Sequence, residues 1–161
     1  MEKNNIYEFS VSVYGPLEKY NDVLSKARVR IFYKYENRNG TYITDEFADY
    51  LLSTVPYAPV KGIYEDGDFT DHGQARDEGR IYGICPADPN VSWEPHMDED
   101  GVVRTYACAD VLIFTALYPE ASEIMGKSQS MELYPPSIEY HEAIIDKKRY
   151  IVFDKGCFLG L

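Results

Sequence analysis

At 161 residues, 45% hydrophobic and 14% aromatic, the chain is long enough to bury a real core and too apolar to be disordered. A formal net charge of −11, with 27 acidic against 16 basic residues, leaves no basic stripe for binding nucleic acid. No apolar run nears the roughly 20 residues of a membrane-crossing helix, and "MEKNNIYEFS" lacks a signal-peptide core; a cytoplasmic protein with no nucleic-acid and no membrane partner is expected.

Residues 6–14, "IYEFSVSVY", alternate Tyr7, Phe9, Val11 and Val13 with polar neighbours, which predicts a half-buried strand ended by Gly15-Pro16. "ARVRIFYKY" repeats the device with Val29, Ile31, Tyr33 and Tyr35 on one face, and Asn39-Gly40 marks the next turn. "TDEFADYLLSTV" reads as a helix. Thr44 is its N-cap, Asp45 and Glu46 suit the positive end, Phe47, Leu51 and Val55 share an apolar face, and Pro56 stops it. A polar loop, "YEDGDFTDHGQARDEG", leads into a short strand, "RIYGIC".

"PADPNVSWEPHMDEDG" reads as a second turn-rich loop, and "VVRTYACADVLIF" as a long strand. "YPEASEIMG" predicts a short helix with Pro119 in its first turn, while "SMELY" and "RYIVF" read as strands. Six or seven strands and two helices make a β-rich α+β domain, a barrel or a sandwich, over residues 1–161. The apolar ending "CFLGL" suggests that the natural chain continues past Leu161.

Cys85, Cys108 and Cys157 are widely spaced, lack a CxxC pattern, and sit among apolar or aromatic neighbours; three buried structural thiols are expected. The histidines are His72, His96 and His141. His72 and His96 read as exposed loop residues, and His141, in "IEYHEAI", as a solvent-facing residue on a strand edge. Asp98, Asp100 and Gly101 lack the spacing of a calcium loop and fit a hairpin turn better. No HExxH, P-loop, GxGxxG or GxSxG occurs. Taken alone, these residues allow a Ser/His pair but favour a β-rich domain of structural use.

Taken as an ordered set, "NRNGTYI", "TDEFADYLLS", "DHG…EGRIYG", "KSQSMELYPP" and "RYIVFDKGCFLGL" resemble the capsid maturation proteases of tailed bacteriophages. The likeness is particularly to the scaffold-fused serine proteases, a group with a herpesvirus-assemblin-like β-barrel. The similarity covers nearly the whole chain after about residue 27. It implies a serine endopeptidase of prohead maturation, without metal or organic cofactor. Capsid and scaffold proteins would be its partners in the host cytoplasm, with a homodimer allowed and the chain forming the N-terminal part of a longer scaffold-fused protein.

The resemblance makes His72 the base and Ser130 the nucleophile, because "SMEL" reads against the family's "SIEI". Ser128 is the alternative if the match slips by two residues. The family's orienting aspartate falls on Asn39, which lacks the charge to stabilise an imidazolium; Asp71, Asp68 and His141 are the candidate substitutes. That departure keeps a second expectation open, a catalytically degenerate capsid-assembly or scaffold domain on the same fold.

Overall fold

The computed structural model describes residues 8–37, 40–65, 67–70, 79–124 and 128–161. The chain opens with β1 (Glu8–Lys19), β2 (Ser25–Tyr33), β3 (Tyr35–Glu36) and β4 (Thr41–Ile43), then forms helix α1 (Asp45–Leu52). Next come β5 (Pro59–Glu65), β6 (Asp68–Thr70), β7 (Arg80–Ile84), β8 (Ser92–Met97) and β9 (Val103–Ile113). A 3₁₀ turn at Pro119–Glu123 precedes β10 (Ser128–Leu133), β11 (Glu139–Ile145), β12 (Lys148–Lys155) and β13 (Phe158–Gly160).

These strands make two sheets. The larger follows the order β13-β10-β1-β2-β9-β7-β5-β6, with β8 also paired to β9; the smaller follows β11-β12-β4-β3. The β-rich α+β architecture is as expected, but the strand ladders form open sheets and not a closed barrel. At one point the long path returns on itself. Lys61 N–H donates to the Leu161 carbonyl at 2.9 Å and Leu161 N–H donates to the Pro59 carbonyl at 2.8 Å, so the residue after β13 rests along β5.

Several elements differ from their sequence reading. Gly15-Pro16 does not end β1. The strand runs on to Lys19, and its register with β2 shifts between Tyr14 and Glu18, with Gly15 at φ +73°. A bulge absorbs the two residues that would otherwise stop pairing. A second shift, between Arg30 and Phe32 on β2, breaks the expected alternation: Val29, Ile31 and Phe32 are buried, and Tyr35 is exposed with φ +75°. The expected helix after Tyr118 is only a 3₁₀ turn. The supposed loop contains β8, whose Pro95 is tolerated because β8 pairs with β9 and, among the described residues, with no other strand.

Helix α1 forms as read. The Thr44 hydroxyl accepts from Phe47 N–H at 3.1 Å, and Phe47, Ala48 and Leu51 are buried. Phe47 stacks at 5.5 Å on Phe153 of β12, and both join Val29, Ile113 and Leu161 in one core cluster. The helix thus seals the core beside the small sheet. Val55, past the helix end, is buried with it.

Candidate functional site

On β8, Ser92, Glu94 and His96 share one face; across the ladder on β9, Tyr106, Cys108 and Asp110 share another run of alternate positions. Ser92 stands opposite Cys108, and Cys108 stands opposite Arg30 of β2 on its other side. Tyr14 of β1 stands opposite Arg28 of β2. Four strands therefore bring Tyr14, Arg28, Glu94, His96, Cys108 and Asp110 together, although Tyr14 and Asp110 are 96 positions apart in the chain.

Glu94 is the hub. Its Oε1 accepts from the Tyr14 hydroxyl at 2.5 Å, and its Oε2 accepts from Ser92 at 2.7 Å and from Arg28 at 2.8 Å. These donors outweigh desolvation and hold its carboxyl down to about 2, so it is ionised at neutral pH. Arg28 reaches three further acceptors: Asp110 Oδ1 at 3.0 Å, the Asn90 carbonyl at 2.7 Å and the Ser92 hydroxyl at 2.5 Å. Burial, followed by hydrogen bonds to Cys108 and Glu94, pushes the Tyr14 phenol well above its ordinary range.

His96 is not the exposed loop residue expected. It lies on β8 with its ring against Tyr14 at 4.5 Å, and its side chain is 21% exposed. Its Nε2 stands 3.8 Å from Cys108 Sγ and 3.8 Å from Glu94 Oε1. Cys108 is fully buried and its thiol is pushed up, chiefly by desolvation. A sulfur nucleophile needs the thiolate and access to substrate, so Cys108 is unsuited to nucleophilic catalysis as it stands. At the start of the hairpin turn, Asp98 accepts from Tyr106 at 2.5 Å and from Arg104 at 2.5 Å, with Arg30 at 3.7 Å, which accounts for its burial. The turn itself forms at Asp98–Val102, as read.

The sequence-derived residues are distributed differently. Ser128 and Ser130 lie on β10, opposite Ser12 and Ser10 of β1. His72, Asp71 and Asn39 lie outside the described residues. Asp68 opens β6 with its carboxylate accepting from the Phe69 amide, and is exposed. His141 sits on β11 in the other sheet, exposed, with Nδ1 2.8 Å from Asp154 Oδ2. Of the cysteines, Cys85 and Cys108 are buried but Cys157 is exposed, which corrects the expectation for that residue. Cys85 is pushed up to about 12 by burial.

The polar cluster escaped the sequence reading although its signal was present. "SWEPHM" alternates Ser92, Glu94 and His96, and "YACAD" alternates Tyr106, Cys108 and Asp110, which are two period-2 polar faces meeting in one hairpin.

The architecture and this cluster define a β-rich α+β domain with a polar, ionised constellation on one sheet face. The chain belongs to the YonD N-terminal domain family, whose model matches residues 23–161. No curated protein and no solved structure is matched. No helix among the described residues is long and apolar enough to cross a membrane.

Proposed function

We propose that the domain is a serine endopeptidase of phage prohead maturation, with Ser130 as nucleophile and His72 as base. The ordered motifs of the sequence support this reading. Ser130 lies on β10 opposite Ser10 of β1, and His72 lies outside the described residues.

The chemistry would be acyl transfer. Ser130 Oγ attacks the scissile carbonyl carbon as its proton passes to the His72 ring, and backbone amides hold the oxyanion. The imidazolium then protonates the departing amine, and water hydrolyses the ester. Capsid and scaffold segments are the substrates, in the cytoplasm of the infected cell.

A second reading, an assembly domain without catalysis, is favoured by Asn39 where the resembled family has aspartate. Incubating the full precursor with capsid and scaffold protein separates the two. Cleavage abolished by Ser130→Ala and by His72→Ala, kept by Ser128→Ala and accelerated by Asn39→Asp, supports the protease. An intact substrate, or cleavage indifferent to Ser130→Ala, leaves the assembly role.

A further inference from the structure

We propose that Glu94, His96 and Cys108 form a binding site for a zinc-like divalent cation, held by one oxygen, one nitrogen and one sulfur. The three donor atoms lie within 4.8 Å of one another. The set is of mixed hardness, which suits zinc better than magnesium or calcium, whose ligands are oxygens.

The spacing leaves room for a cation between the carboxylate and the imidazole, while Nε2 lies within sulfur hydrogen-bond reach of Cys108 Sγ. Were His96 bonded directly to the carboxylate, Nε2 and Oε1 would close to about 3 Å. They stand 3.8 Å apart, and Nε2 stands at the same 3.8 Å from Sγ. Bond lengths of ~2.0 Å to nitrogen or oxygen and ~2.3 Å to sulfur give tetrahedral edges of ~3.3 to 3.6 Å. The two edges to Nε2 need to close by only a few tenths of an ångström, whereas the oxygen–sulfur edge, which lies within 4.8 Å, closes by up to about 1.3 Å to complete the coordination.

The surroundings supply what such a site needs around its ligands. Arg28 and Ser92 hold Glu94 by Oε2, leaving Oε1 turned toward the histidine with Tyr14 as its donor. The Tyr14 ring, set edge-on to the imidazole with centroids 4.5 Å apart, fixes it. Binding would replace the Cys108 proton, and the carboxylate and thiolate together neutralise the added charge. With three protein ligands, the fourth position falls to water. A cavity of about 280 Å³, lined by Tyr14, Arg28, Glu94 and Asp110 among others, meets the site at Glu94. The site shares no residue with the proposed serine chemistry, so either proposal stands without the other.

The test is titration of the chelator-treated chain with cobalt(II), followed by competition with zinc(II). One equivalent of cobalt should bind and produce a thiolate-to-metal charge-transfer band in the near ultraviolet, which zinc then removes. Cys108→Ser should abolish the band, and His96→Gln or Glu94→Gln should each weaken binding about 100-fold. Cys157→Ser should leave the band intact. If Cys108→Ser fails to fold, the two half-buried variants carry the test, with circular dichroism confirming that each is folded without metal. A wild-type chain that gives no charge-transfer band overturns the proposal. So does a folded His96→Gln or Glu94→Gln variant that binds as wild type does, or a band lost with Cys157→Ser.

Discussion

Leu161 lies against Lys61: its carbonyl accepts the Lys61 amide at 2.9 Å, and its own side chain is 1% exposed within the main core. One residue thus supplies both a backbone link between β13 and β5 and a share of the apolar packing. Leu161→Ala keeps the link and removes the packing. It should cost about 3 kcal/mol in denaturant unfolding, whereas Leu161→Met, close in volume, should cost about 1 kcal/mol. Equal losses from the two variants would show that the backbone bonds, and not the side chain, matter there.

Gly83 is where β7 meets β9. A Cβ at this position would lie 2.3 Å from the Leu112 carbonyl oxygen and 2.9 Å from Ile113 Cδ1. The obstruction is backbone, which cannot turn aside as a side-chain end can. Gly83→Ala should therefore destabilise by about 3 kcal/mol or leave the chain insoluble, despite adding one methyl group. Gly101→Ala offers the contrast, since nothing lies within 4 Å of its Cβ and only the positive φ of 80° is strained. It should cost about 1 kcal/mol.

Arg28 binds two carboxylates at once, Glu94 and Asp110, with its own side chain 20% exposed. Arg28→Ala would leave both anions half-buried and unpaired, at a cost of about 3 kcal/mol. Arg28→Lys should recover little of this, because one ammonium cannot span the acceptors that the guanidinium fork reaches. Urea titrations of the two variants at neutral pH provide the check; full recovery by lysine would reduce the residue to a point charge.

Glu120 accepts from the Tyr82 hydroxyl at 2.8 Å and from Arg80 at 3.1 Å. Its carboxyl is lowered, first by a backbone hydrogen bond and then by Tyr82. A lowered folded value means that its contribution is complete above the ordinary glutamate range, near 4.5, and fades as the pH falls through the folded value. The difference in Tm between wild type and Glu120→Gln should thus be constant from pH 7 to about 5.5 and shrink below about 4.5. At the alkaline end Tyr82 is pushed up to about 12, by burial and then by Glu120. Its contribution is complete below the ordinary tyrosine value of 10 and is lost as the pH rises toward 12. Melting curves across both ranges test the two signs.

Helix α1 was legible because its cap, its acidic first turn and its apolar face all lie within a dozen consecutive residues. The strand β9 was legible for the same reason: "VVRTYACADVLIF" carries its β-branched character locally. The strands β8 and β11 were harder to read, since each is an edge with polar or charged faces, and β8 contains a proline. Bulges on β1 and β2 were invisible, because a register shift depends on the partner strand. The polar cluster shares this difficulty. Cys108 was read rightly as buried, yet its neighbours His96, Tyr14 and Arg28 are fixed by pairings among four strands, and no local pattern reveals which strands adjoin.

The position of β13 also bears on the order of assembly. It follows both of its partners in the chain, since it pairs with β10 and is followed by the residue that rests on β5. Until it arrives, one edge of β10 and one edge of β5 have no partner there. A nascent chain would expose those edges to neighbouring chains after β5 and β10 are already synthesised. Slow completion, governed by contacts distant in sequence, is the consequence. Refolding from denaturant should accordingly be far more prone to aggregation at high chain concentration than the folded domain is.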